Sequence, residues 1–386
     1  MKLPEGLSRS RARGAVGTFF FFQGFCFSSW AVRIPDVQQK LSLSEAELGT
    51  LLFSLPVGSL LSLTFASQFI SRAGSRRVLP GAMLFHLLAL LLLGLATSAW
   101  QLSGFLLFFG LSGNLVNVSV NTQAVGIERI YRKPIMASFH GLWSLAGFIG
   151  AALGSLLMSQ HTSPVQHFSL TASLGLCGIL FNVPALLLDP TRVQAPKPRN
   201  WALPESSLIL LGIITFCSMV CEGTMFDWSG VYFEKIVLAQ NGWVGAGYAA
   251  FMSTMAGTRF LADYLKNQLG FTRVLQLCGL LIAAGLSISI LFPTFGPALV
   301  GFFLVGAGTS AVVPFTYSEA GRSDNRAASS ALTVISAIGF MGFLIGPPLI
   351  GWIAGATNLK VSFSVIVFFG LAISALVSFA PQHAES

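Results

Sequence analysis

Gly147-Phe148-Ile149-Gly150, followed by Gly154, recurs at a constant spacing of 192 residues as Gly339-Phe340-Met341-Gly342, followed by Gly346. A second echo joins Gln23-Gly24 and Trp30 to Glu222-Gly223 and Trp228, at spacings of 199 and 198. Each stretch sits in an apolar run long enough to cross a bilayer, and order, spacing and position within the run agree together. Internal repetition of this kind is the strongest fold-level signal in a single chain, and it predicts a first half built like the second.

The surrounding composition sets the solvent. Of 386 residues, 54% are hydrophobic and 9% charged, far from the ~25–35% charged surface of a soluble domain. Apolar runs are read at 15–34, 48–70, 78–98, 102–127, 137–158 and 168–188, then at 207–231, 243–262, 274–292, 297–317, 328–353 and 361–380. Twelve spans of ~20 residues consume roughly 240 residues and leave room only for short connections. The expected fold is an all-α polytopic membrane protein, twelve transmembrane helices in two parallel six-helix bundles covering 1–188 and 207–386. The stretch 189–206 carries Pro190, Pro196, Pro198 and Pro204 with three basic residues, a composition suited to a hydrated linker.

Charge placement gives the orientation. With the N-terminus inside, 18 of the 22 Lys and Arg fall on cytoplasmic segments, and Arg33, Lys40, Lys235 and Lys360 fall on the other side. This is the positive-inside pattern, with both termini cytoplasmic, and it accounts for the net charge of +8 without nucleic acid. The five cysteines lie in apolar runs and read as small buried residues rather than a disulfide framework. The basic start leads into the first run without a small-residue cleavage site, so that run is expected to stay as a helix.

Ser71-Arg72-Ala73-Gly74-Ser75-Arg76-Arg77 after the second run resembles the acidic-Arg-x-Gly-Arg-Arg loop of the major facilitator superfamily, with Ser71 where that family has its acid. Its second-half counterpart, Gly257 to Asp263 with Gly270 and Arg273, keeps the acid. The resemblance covers nearly the whole chain. It implies that charges at one face close the inward mouth: Arg72, Arg76 and Asp263, with Glu128-Arg129-Arg132 recurring as Glu319, Arg322 and Arg326. The departure at Ser71 weakens one such lock. Trp30-Ala31-Val32-Arg33-Ile34-Pro35-Asp36, Phe139 to Ser144 and Glu222 to Ser229 further resemble a bacterial branch related to fucose permeases.

Ionisable groups at membrane depth are functional candidates by default. Glu222 lies past the middle of the seventh run and is expected to carry protons, or else to hydrogen-bond a neighbouring helix; Asp227 lies nearer the outer face and is expected to share that work or to cap an interfacial helix end. Asn114, Asn117 and Asn121 fall on one helical face, able either to bind a polar solute or to hold helices together. Gln23 is the first-half counterpart of Glu222, and Gln123 follows Asn121 by two. Trp30, Trp143 and Trp228 suit a sugar ring or an interfacial aromatic belt, and His140 a titrating contact or plain packing. Arg33 and Asp36, three apart at the outer end of the first run, are expected to pair as a gate or cap.

Nothing here calls for a cofactor or metal, and no nucleotide-binding, G-x-S-x-G or H-E-x-x-H motif occurs. The expected activity is secondary transport, not catalysis. A small polar solute, sugar-like in the favoured reading, moves with a proton across the bacterial inner membrane through a monomer that meets only solute, protons and lipid. An exporter of amphipathic compounds is the alternative.

Overall fold

The computed structural model describes residues 1–133, 135–189, 206–320 and 325–380, with the side chains of 137, 241, 263 and 325–332 outside the described set. The first half runs α1 (Arg9–Val32), α2 (Ile34–Lys40), α3 (Glu45–Leu52), α4 (Ser54–Ala73), α5 (Ser75–Leu95), α6 (Ala99–Tyr131), α7 (Met136–Ser159) and α8 (Pro164–Asn182). The second runs α9 (Ser206–Lys235), α10 (Ala246–Leu269), α11 (Phe271–Leu291), α12 (Phe295–Thr309), α13 (Val312–Ala320), α14 (Asn325–Ala356) and α15 (Leu359–Leu376).

Among the described residues, eleven helical segments are long and apolar enough to cross a membrane, with α3–α4 and α12–α13 each forming one interrupted span. The sequence reading expects twelve. The difference is α10, which has the length, 24 residues, but carries Arg259, Asp263 and Lys266. Large apolar side chains face outward, Phe181 at 73% exposure and Phe368 at 69% among them. In water such a surface would aggregate; in lipid it is the natural exterior.

The chain folds as two compact units: Met1–Ser42 with Leu51–Arg199, and Leu43–Thr50 with Asn200–Ser386. In the first, α1 packs on α7 and α8, α6 on α4 and α5, and α5 on α8. In the second, α9 packs on α14 and α15, α12 on α10 and α11, and α11 on α15. Matched in order, these pairings are the same, so the glycine repeat of the sequence corresponds to a repeat of helix pairs. Glycines sit where backbones meet: Gly58 and Gly110 lie against the Leu107 and Leu55 backbones, and Gly306 lies against the Phe251 carbonyl. Any side chain there would separate the helices.

Gly74 and Gly270 link α4 to α5 and α10 to α11 with φ of +82° and +78°, a region L side chains avoid. The loop resemblance therefore has a backbone cause. The segment Leu43–Thr50 belongs to the second unit through a Glu45–Lys235 ion pair at 2.7 Å and a Trp352 Nε1 donation to Thr50 Oγ1 at 2.9 Å.

Three expectations are corrected. Cys177 is exposed on α8, while Cys26, Cys217, Cys221 and Cys278 are buried as expected. Trp30 and Trp228 are fully buried and form no interfacial belt; among the described residues the exposed indoles are Trp100, Trp243 and Trp352. Arg259, read as a loop charge, lies inside α10, ten residues before its end at Leu269.

Candidate functional site

Two polar centres form, one in each unit. In the second, Glu222 stands 16 residues after the start of α9 and 13 before its end, ~24 Å and ~20 Å along the axis at 1.5 Å per residue. Arg259 stands 13 residues into α10. Their side chains, 12% and 25% exposed, meet with Arg259 Nη2 at 3.9 Å from Glu222 Oε1. Sequence reading picks out Glu222 and misses its partner. The available signal was an arginine inside the apolar run 243–262, obscured by its closeness to the charged loop motif.

Asp227 follows Glu222 by five residues, about 140° further round the helix at 100° per residue, so the two acids do not share a face. It is 6% exposed and eight residues from the helix end, which rules out the capping reading. Trp228 is next to it, buried, with its indole N–H unpartnered.

In the first unit, Gln23 on α1 donates through Nε2 to the Gly113 carbonyl of α6 at 3.2 Å. Its Oε1 is buried and unpartnered, as is Nδ2 of Asn114, the residue next to Gly113. Each is a group that a hydroxyl, which both donates and accepts, can satisfy. Asn117 and Asn121 instead bond each other, Asn121 Nδ2 donating to Asn117 Oδ1 at 2.9 Å and to its carbonyl at 2.8 Å. Gln123 is fully buried between Ser75 and the Leu187 backbone, a packing role. His140 is exposed and meets Phe20 edge-on at 5.4 Å, and half-buried Trp143 lies 6.1 Å from Phe27.

The expected Arg33–Asp36 pair is present, with Nη1 to Oδ2 at 2.6 Å. Arg33 is the C-cap of α1, 2% exposed, and its Nε also donates to His167 Nδ1 on α8 at 3.2 Å. His167 was not singled out from sequence; nothing local marks it.

The residues assigned to an inward gate are less alike than their spacing suggests. Arg72 is exposed. Arg76 turns its guanidinium to the Leu186 and Pro184 carbonyls, at 3.1 and 3.4 Å, within its own unit. Asp189 accepts from Ser75 Oγ at 2.6 Å and Arg76 N at 2.8 Å and so caps α5. Glu128 accepts from the Met136 backbone N–H at 3.1 Å, capping α7. Glu319 is buried on α13. Asp263 and Arg326 lie on α10 and α14 with side chains outside the described set, and Arg322 is outside the described residues, as are positions 190–205 of the expected linker.

Comparison with known proteins agrees with this architecture. The Major Facilitator Superfamily model matches residues 16–329. Membrane protein MosC of Rhizobium meliloti is 30% identical over 369 residues, 96% of this chain and 90% of that protein. An uncharacterised MFS-type transporter of Yersinia pestis is 32% identical over 361 residues, 92% of each. Among solved structures, a bacterial homologue of the human lysosomal transporter Spinster superposes with a TM-score of 0.77 at 13% identity, covering 98% of both chains. The nucleoside transporter NupG does so at 0.74 and 12% identity, covering 96% of this chain and all of that one. At such identities the likeness is one of fold. With the family model spanning most of the sequence and the fold shared over nearly all of it, the chain belongs to the Major Facilitator Superfamily, as an all-helical, multi-pass membrane transporter rather than an enzyme.

Proposed function

We propose that this transporter moves a small polar solute together with a proton by alternating access, as a symporter. The observation that carries the reading is the Glu222–Arg259 pair halfway along α9 and α10. An acid at such depth costs several kcal/mol unless it works with a partner or a cavity; Glu222 can bind and release a proton, and Arg259 keeps it solvated while ionised. The unspent amide groups of Gln23 and Asn114 support a hydroxyl-bearing solute, in line with the sugar-like reading. Asp227, Asn117, Asn121, His140, Trp143, Trp30 and Trp228 are secondary members of this assignment.

The same proposal counts α10 as the twelfth crossing, divides the chain into bundles at 1–188 and 207–386 joined by 189–206, sets both termini in the cytoplasm of a bacterial cell, and takes a monomer as the working unit. Kinship with fucose permeases is part of it, as are the gating roles of Arg33, Asp36, Arg72, Arg76, Glu128, Asp263, Glu319 and Arg326. The test is uptake into proteoliposomes under an imposed pH gradient, with a panel of sugars, sugar alcohols, sugar acids, nucleosides and amino acids and a lumenal pH dye. One solute entering with acidification of the lumen supports the reading. Uptake with no pH change, under the same gradient, overturns proton symport.

A further inference from the structure

Side-chain contacts within the first unit gather its helix ends onto one face. Gln123 Nε2 on α6 donates to Ser75 Oγ at the start of α5 at 2.8 Å. Arg13, near the start of α1, donates to Ser138 Oγ on α7 at 3.1 Å and lies over the Tyr131 ring at the end of α6. Arg11 donates to Asn182 Oδ1 at the end of α8 at 2.9 Å. The stretches 1–14, 71–77 and 128–133, with Asp189, therefore share one end, and they hold ten Lys and Arg against three acids, Glu5, Glu128 and Asp189. The corresponding stretches of the second half, 257–273 and 319–326, hold five against three, and one of the five is Arg259 in mid-helix.

Arg11, Arg13 and Arg76 spend their guanidinium groups on hydrogen bonds inside the unit. Six others do not: Arg9, Arg72, Arg77, Arg129, Arg132 and Lys133 are exposed, and among the described residues none of them takes part in an ion pair. Asp189 and Glu128 are already committed to capping α5 and α7. So large an excess of one sign repels itself, a cost that an external anion removes. A charge bias that only orients the chain needs no such concentration, since Lys and Arg counted over all the inner loops serve that purpose.

The neighbours of these cations indicate which anion. On α4, exposed Phe69 precedes Arg72 by three residues; on α6, exposed Val125 precedes Arg129 by four; on α5, exposed Leu84 follows Arg77 by seven. Each spacing keeps the two side chains on one helical face, so all three helices present hydrocarbon running up to an unpaired guanidinium. We propose that this end of the first unit binds anionic phospholipid, with the headgroup phosphate on Arg72, Arg77, Arg129 and Arg132 and the acyl chains along the apolar faces of α4, α5 and α6. Guanidinium matches a phosphate with two parallel hydrogen bonds. A zwitterionic headgroup brings its own ammonium and leaves the excess charge uncancelled, and a water-soluble phosphate leaves the apolar faces unused. Asp189 already fills the N-terminus of α5, so side chains alone hold the headgroup.

The experiment measures lipid binding to the purified full chain in nonionic detergent, by native mass spectrometry and by thermal unfolding. The probes are phosphatidylglycerol, phosphatidylcholine of the same acyl chains, and glycerol 3-phosphate. Phosphatidylglycerol should bind and raise the Tm, and the gain should shrink as salt rises from about 0.05 to about 0.5 M; the other two should bind about tenfold more weakly or less. At about fivefold per basic residue near an anionic surface, Arg72→Gln with Arg77→Gln should lose roughly 25-fold in affinity, as should Arg129→Gln with Arg132→Gln. Lys266→Gln with Arg273→Gln, in the second unit, should bind as wild type. Equal binding of phosphatidylcholine, equal stabilisation by glycerol 3-phosphate, insensitivity to salt, or wild-type affinity in the folded first-unit variants each overturns the inference. An equal loss in the second-unit variant overturns its assignment to the first unit. The lipid and salt comparisons use wild-type protein, so they decide the matter even where a variant fails to fold.

Discussion

Arg259 Nη2 lies 3.9 Å from Glu222 Oε1, joining the middle of α10 to the middle of α9 inside one unit of the chain. Neither residue has a charged counterpart in the first unit: Gln23 stands where Glu222 would be, and α4 carries no basic residue before Arg72. This mid-helix acid–base pair thereby belongs to the second half of a repeated architecture.

Glu222→Gln keeps the shape of the side chain and removes the group that releases a proton. Uptake driven by a pH gradient should be abolished, with exchange of solute or its binding still measurable. Proteoliposome uptake with and without the gradient decides this; a mutant that still concentrates solute in response to pH contradicts the assignment.

Gln23→Ala and Asn114→Ala should each weaken solute binding by roughly 1–3 kcal/mol, the cost of leaving a hydroxyl unmatched. Asn114→Ala should leave the Tm close to wild type, because Nδ2 of Asn114 has no partner to lose. Calorimetric titration beside a melting curve separates the two effects. A fall in Tm with unchanged affinity would make these amides interhelical glue.

Gly110→Val places a branched side chain against the Leu55 backbone, where α4 and α6 touch. We expect a loss of about 1–3 kcal/mol or failure to fold, the usual cost of overpacking. Gly104→Ala, on the same helix with nothing within 4 Å of an added methyl, should be neutral or stabilising by about 0.5–1 kcal/mol. Equal behaviour of the two in a melting series would remove the close-crossing argument.

Asp36→Ala leaves the buried Arg33 guanidinium without its carboxylate. Because Asp36 is 27% exposed, the cost should be about 2–3 kcal/mol, below the ~3–5 kcal/mol of a fully buried pair. Adding Arg33→Met should restore most of it by removing the orphaned cation. A double mutant no more stable than Asp36→Ala alone would show that the pair is not coupled in this way.

Asp189→Ala removes the acceptor that caps α5 and should cost about 0.5–2 kcal/mol, with Asp189→Asn losing less. Melting temperatures of the two variants check the order.

Much of this protein could be read from its chain. Low charge and long apolar runs leave lipid as the solvent, because no other medium accepts so much outward-facing hydrocarbon. The glycine echoes at Gly150 and Gly342 foretold matching helix pairs, since an added Cβ would press on the Ser28 side chain at one and on the Phe216 carbonyl at the other. Arg33 and Asp36 could be paired from sequence because three residues on a turn bring side chains within reach. Glu222 could be singled out because an acid in an apolar run is costly wherever it lies.

What the chain concealed was every partner distant in sequence. Arg259 on one helix reaches Glu222 on another, His167 reaches Arg33 across 134 positions, and Asp189 reaches Ser75 across 114 to cap α5. Trp30 and Trp228 look like interfacial anchors until the packing buries them, while Trp100, Trp243 and Trp352 take the exposed positions. Periodicity records which face of a helix is apolar; it does not record which other helix that face meets. That choice rests on side-chain shape and on the pairing of polar groups that cannot be left alone in a low-dielectric interior, and only the tertiary structure states it.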